Sequence, residues 1–358
     1  MTNSQKIAPT VDEIKIGPMV LTSGEILEEV TLRYEISGPV GAPVILICHA
    51  LTGNHLAIGN KTNPGWWSGL IGEGKHIDTN NYQVLTFNVL GGCDGSTGPA
   101  TINKKTNQPY RISFPPITIR DMVHAQQLAL EIMGINHLAA VIGGSLGGMQ
   151  AMEWGLLYPT KMDKLIILAS TPYFSDFGIA FNHIAETAIK QDPEWKNGLY
   201  ESNLSLRGLE ISRMIGMVTY RSSTLFNERF ARKSSQQQYD ISAYLDYQGK
   251  KLTERFDANS YLTLLQAMNH HDIGKGRVNW IQAAKQIETP LLAISYDKDL
   301  IFEPPLMKQF AEEVANGCYY HVKTDFGHDG FLTEFEKWGE IVRNFLANET
   351  LFTKKKQV

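Results

Sequence analysis

The chain has 358 residues, 43% hydrophobic and 20% charged, with a net charge of -4. This is an ordinary globular composition, too long for one small core, so a large domain carrying an insertion is expected. It gives no reason to expect nucleic acid or an anionic membrane as partner, and no apolar run is long enough to span a bilayer. The three cysteines, Cys48, Cys93 and Cys318, are too few for a disulfide framework and have no metal-ligand spacing. Residues 1–9 carry no apolar leader, so a cytoplasmic, metal-free protein is the expectation.

Residues 1–12 read as loose polar chain. Ile14 to Leu21 and Val30 to Ser37 alternate as a half-exposed antiparallel pair around the turn Ser23-Gly24-Glu25. Val44 to Cys48 is continuously apolar, as for a strand covered on both faces. The segment 60–78, with Trp66 and Trp67, reads as a loop with a short helix. Tyr82 to Val89 is a further buried strand, followed by a long irregular segment, the glycine-rich run 91–99 continuing to Pro116, whose length marks it as functional. Ile119 to Met133 shows one apolar helical face. Leu138 to Ile142 and Leu165 to Ala169 are strands.

From 172 to 280 strand patterns give way to helical ones: Asp176–Gln191, Ser205–Tyr220, Ser222–Lys233, Ile241–Phe256 and Asn259–Asn269. Strands resume at 290–296 and 319–322, with helices at 306–315 and 331–346. The order predicts a mostly parallel α/β sheet in two parts, 1–171 and 281–358, with a helical insertion at 172–280. The basic tail Lys354-Lys355-Lys356 reads as a solvated terminus.

Chemistry enters at Gly143-Gly144-Ser145-Leu146-Gly147, a Gly-x-Ser-x-Gly between a strand and a helix. A turn that tight exposes the serine hydroxyl at a helix N-terminus, where a developing oxyanion is stabilised. Such a serine needs a histidine base and an orienting acid, in the chain order Ser, Asp, His. Gly327-His328-Asp329-Gly330 supplies the histidine after the last strand. Asp297-Lys298-Asp299 supplies two acids after the strand before it, and spacing does not choose between them. The oxyanion amides fall to Leu146 and Leu51.

Several long runs resemble the homoserine O-acetyltransferase family of α/β-hydrolase-fold acyltransferases. They are His49-Ala50-Leu51-Thr52-Gly53, the segments 88–99 and 116–123, Gly143 to Gln150, Thr219-Tyr220-Arg221-Ser222 and Gly327 to Leu332. The resemblance implies an α/β-hydrolase fold with a helical lid. It implies transfer of acetyl from acetyl-CoA, a co-substrate rather than a bound cofactor, to the hydroxyl of L-homoserine in methionine biosynthesis. An acyl-serine intermediate on Ser145 is implied, with His328 as base. The family pattern selects Asp299 as the acid, although Leu300-Ile301 and Glu303-Pro304 depart from it. It also implies that Arg213 binds the substrate carboxylate, Tyr220 lines the pocket and Asp329 holds the ammonium. Thr52 is a candidate lining residue, and Arg221 a candidate structural partner of a carboxylate. A homodimer through the helical insertion is implied as well. The same fold also carries homoserine O-succinyltransferases, serine O-acetyltransferases and esterases.

Overall fold

A computed structural model describes residues 6–235 and 237–348. Eight strands form the main sheet: β1 (Lys6–Val20), β2 (Ile26–Pro39), β3 (Val44–Cys48), β4 (Gln83–Phe87), β5 (Ala140–Gly144), β6 (Leu165–Leu168), β7 (Leu291–Tyr296) and β8 (Gly317–Val322). Their order is β1-β2-β4-β3-β5-β6-β7-β8. β2 is antiparallel to both its neighbours, and every pairing from β4 through β8 is parallel.

The apolar runs of the central strands follow from burial on both faces. Successive side chains point to opposite sides of a sheet. Leu46, Val141, Ile167 and Ala293 therefore enter one core, while Ile47, Ile142, Ile166 and Leu292 enter the other. Helices α1 (Ile119–Ile132) and α2 (Leu146–Leu157) bury Met122 and Met149 in the first core. α1 is opened by a capping box between Thr118 and Asp121, and Asp121 also accepts from the Thr22 amide at 2.7 Å.

Between β6 and β7 the chain forms α3 (Asp176–Lys190), α4 (Arg207–Tyr220), α5 (Ser223–Phe230), α6 (Asp240–Thr253), α7 (Ala258–Asn269) and the short α8 (Trp280–Ala284). α9 (Pro304–Glu313) and α10 (Phe335–Leu346) complete the core. The neck of the insertion is closed by a bridge between Tyr173 and Asp272, with Phe174 N donating to His271 O at 3.0 Å. Below it, buried Glu153 of α2 accepts from Arg120 at 3.0 Å and Arg277 at 2.9 Å, tying the neck to the core.

Three sequence expectations are corrected. The first strand begins at Lys6 rather than Ile14: its outer part pairs with β2 through backbone while residues 8–13 stay largely exposed, so no apolar alternation marks it. Segment 60–78 forms turns and a two-residue strand pair, Ile71–Gly72 with Ile77–Asp78, instead of a short helix. Its Trp67, Leu70 and Ile71 cover the second core, where a helix would otherwise pack. The last helix begins at Phe335, because Gly327–Leu332 is a separate 3-10 turn. A small hairpin, Ser234–Ser235 with Gln238–Tyr239, and α8 were not legible as elements. Residues 1–5 and the basic tail 354–356 lie outside the described residues. No described helix is long and apolar enough to cross a membrane.

Candidate active site

β5 ends at Gly144 and α2 begins at Leu146, leaving Ser145 alone on the turn with φ 57° and ψ -125°. This is a strained conformation for a residue with a side chain. The flanking glycines are required by space. A Cβ on Gly143 would stand 2.0 Å from Gly147 O, and one on Gly147 would stand 2.0 Å from Cys48 O. The second approach draws the N-terminus of α2 against the end of β3, next to the loop carrying Leu51. Leu146 opens α2, so its N–H belongs to a first turn that lacks intrahelical acceptors. Leu51 and Ser145 line one cavity.

His49 fixes that loop, a role the sequence reading missed. Its Nε2 accepts from Val89 N at 3.0 Å, so Nδ1 carries the proton and donates to Ala50 O at 2.8 Å. Burial holds its pKa below the usual histidine range, which preserves the neutral ring that this pattern needs.

The two aspartates separate sharply. Asp299 is buried, and its Oδ2 accepts from His328 Nδ1 at 2.8 Å. Its Oδ1 accepts from the amides of Ile301 and Phe302, each at 3.0 Å. Asp297 instead faces His321 Nε2 at 2.8 Å, half-exposed at the sheet edge. Lys298 between them has φ 61°, and this turn sends the two carboxylates to different sides.

His328 sits among Phe302, Phe331 and Tyr220, with ring centroids 5.1, 5.3 and 5.6 Å away. Because Nδ1 donates to a carboxylate, Nε2 is left with its lone pair. Ser145, His328, Tyr220, Tyr261 and Leu51 line the same cavity, which is narrow at about 30 Å³. Tyr261 was not singled out in the sequence, since an aromatic at helical spacing reads as core. Its hydroxyl is paired with that of Tyr220. Burial pushes the Tyr220 phenol up, while the Arg213 charge pulls it down and Asp329 pushes it up.

Arg213 places its guanidinium 5.8 Å over the Tyr220 ring and lines a second cavity together with Thr52. The structure thus puts Tyr220 in the serine cavity and Arg213 and Thr52 in its neighbour. Asp329 accepts from Arg221 Nε at 2.9 Å, so its carboxylate already has one cationic partner. Its charge still reaches Tyr220 on the cavity wall.

A family model described as the alpha/beta hydrolase fold matches residues 43–335. A homoserine O-acetyltransferase from Symbiobacterium thermophilum is 43% identical over 352 residues, covering 92% of each chain. Among solved structures, a homoserine O-acetyltransferase from Staphylococcus aureus is 37% identical, with TM-score 0.81 and 98% of each chain covered. An esterase, E22, superposes with TM-score 0.88 at 27% identity, covering 95% of this chain and 100% of its own. A relative 43% identical over 92% of each chain, with the family model over residues 43–335, places this chain in the homoserine O-acetyltransferase family of α/β-hydrolase-fold proteins.

Proposed function

We propose that the protein transfers an acetyl group from acetyl-CoA to the hydroxyl of L-homoserine through an acyl-serine on Ser145. The observation that carries this is the buried Asp299–His328 pair opening onto the same narrow cavity as Ser145. His328 Nε2 takes the Ser145 proton as Oγ attacks the thioester carbon, and the amides of Leu51 and Leu146 receive the oxyanion. The C–S bond breaks, and His328 returns the proton to the CoA thiolate. Homoserine then enters, His328 takes its hydroxyl proton, and the alkoxide displaces Ser145 Oγ, which is reprotonated. Asp299 holds the ring in the Nδ1–H tautomer and stabilises the imidazolium.

The acyl group and its acceptor are both read from the cavity. Among the described residues lining it there is no Lys or Arg. A succinyl carboxylate would be buried there without a counter-charge, which disfavours it against acetyl. The narrow walls also leave little room for water beside the acyl-serine. Arg213 at the boundary suits the acceptor carboxylate, and the negative charge of Asp329 behind Tyr220 suits its ammonium. Thr52 supports the same mouth. No bound cofactor is needed, and the three free cysteines fit a reducing, cytoplasmic setting.

The likeness to esterase E22 supports hydrolysis as a second reading. Mixing the protein with acetyl-CoA or succinyl-CoA and homoserine, serine or no acceptor, and following free CoA, separates the two. Acetyl-CoA with homoserine is expected to be the fastest pair by at least about tenfold, the lower bound for a mismatch of one methylene such as serine presents. Equal release without an acceptor would make the protein a hydrolase.

Phe177 and Ile184 on α3 and Ile211 and Val218 on α4 present exposed apolar side chains. This pattern supports a homodimer through the helical insertion. Sedimentation of the wild type is expected to give a dimer and that of Ile211→Arg/Val218→Arg a folded monomer. A wild-type monomer would end this part of the reading.

A further inference from the structure

The joint between α4 and α5, residues 220–222, lies on the loop of the catalytic histidine. Three backbone segments converge at Gly327, which has φ 62°. A Cβ there would stand 3.0 Å from Lys298 O and 3.3 Å from both Tyr220 O and Ser222 N. The insertion, the loop of the acid and the loop of the histidine therefore share one packing point. Polar contacts fasten it. Ser222 opens α5 by accepting from Leu225 N at 3.1 Å, while its hydroxyl donates to the Asp325 carbonyl. Lys298 pairs with Asp325 and donates to Thr224 Oγ1 at 3.1 Å.

Arg221, in the middle of this joint, is not used by the mechanism above. Its Nε donates to Asp329 Oδ2 at 2.9 Å, with both side chains mostly buried. Its guanidinium also lies 5.7 Å over the ring of Tyr244 on α6, so a second insertion helix holds it in place. No described residue donates to the other oxygen, Oδ1. The charge of Asp329 reaches the Tyr220 phenol on the wall of the serine cavity. Arg221 itself lines neither that cavity nor its neighbour. A carboxylate with one oxygen held and the other open has a fixed direction, whereas one without such a partner turns freely about its side-chain torsions.

Resting on the acyltransferase reading above, we propose that Arg221 is a positioning residue for the second half-reaction: it holds Oδ2 of Asp329 so that Oδ1 is presented to the ammonium group of the amino-acid acceptor. Arg221 touches no substrate and acts through Asp329. Its own charge repels an ammonium, so net charge alone predicts tighter acceptor binding once it is removed. Weaker acceptor binding on its removal is the mark of aim rather than of charge. Formation of the acyl-serine from the donor needs no acceptor ammonium, so the first half-reaction is independent of this contact.

The test compares Arg221→Met, which removes the charge and the donor, with Arg221→Lys, which keeps a cation for Asp329. Arg221→Met is expected to raise KM for homoserine about tenfold or more, the size of a lost charge-assisted hydrogen bond. It is expected to lower the preference for homoserine over 4-hydroxybutanoate, the same chain without its amino group, by a similar factor. The rate of acetyl-enzyme formation on mixing with acetyl-CoA alone should stay within about threefold of wild type, and Arg221→Lys should recover most of the loss in KM. An unchanged or lower KM in Arg221→Met would overturn the proposal. So would acetyl-enzyme formation that falls, in either variant, as much as KM rises, since that marks a general structural role. A wild type that forms the acetyl-enzyme but does not pass the group to homoserine would refute the acceptor assignment, and the role of Arg221 with it.

Discussion

Replacing Ser145 by Ala is expected to lower acetyl transfer by about 10⁴-fold or more, because the residual rate over solution comes from binding and the oxyanion amides alone. The cause is the loss of the only step that splits the transfer in two. Without Oγ, thioester and homoserine would have to meet directly in a cavity of about 30 Å³. Folding should survive, since alanine keeps the Cβ at φ 57° and removes only the hydroxyl. The measurement is CoA release in the presence of homoserine, with circular dichroism to confirm the fold. A variant within about tenfold of wild type would remove the covalent mechanism.

The second large effect separates two carboxylates that stand two residues apart. Asp299→Asn is expected to reduce kcat by about 10³- to 10⁴-fold, since an amide in that place favours the wrong imidazole tautomer. Asp299 already spends Oδ1 on the Ile301 and Phe302 amides, so only Oδ2 faces the ring. An amide oxygen retained on Oδ1 would leave the NH₂ group pointing at Nδ1. Asp297→Asn is expected to change kcat by less than about threefold, because its partner His321 lies on the half-exposed edge of the sheet. Steady-state kinetics on both variants decide the matter, and the reverse ranking would move the acid to Asp297.

The contrast shows what the sequence could carry. Ser145 and His328 were legible because each depends on local chemistry: an apolar strand, a glycine-lined turn, then a helix or a short 3-10 turn. The central strands were legible as well, since Val44–Cys48 and Leu291–Tyr296 are buried on both faces and stay apolar throughout. Asp299 and Asp297 could not be told apart by spacing, because the choice depends on the Lys298 turn and on His321, which arrives from the neighbouring strand. Family resemblance, rather than the residues themselves, pointed to Asp299.

Other features were invisible for a different reason. The outer half of β1 is held by backbone pairing at an exposed edge, and backbone pairing leaves no side-chain pattern. Trp67, Leu70 and Ile71 stand at helical spacing, yet the chain there forms turns that carry them onto the second core. Asp329 was read as the ammonium site and Arg221 as a candidate partner of some carboxylate; that the two pair with each other, 108 residues apart, is set by the end of α4 meeting the His328 turn.

The most direct test is the mass of the intact protein after brief mixing with acetyl-CoA alone. The account predicts one added acetyl group, located on the peptide containing Ser145, that disappears on addition of homoserine as O-acetylhomoserine forms. Acetyl transfer to homoserine with no acyl-protein at any time, or an acetyl group on Ser145 that water removes as fast as homoserine does, would contradict it.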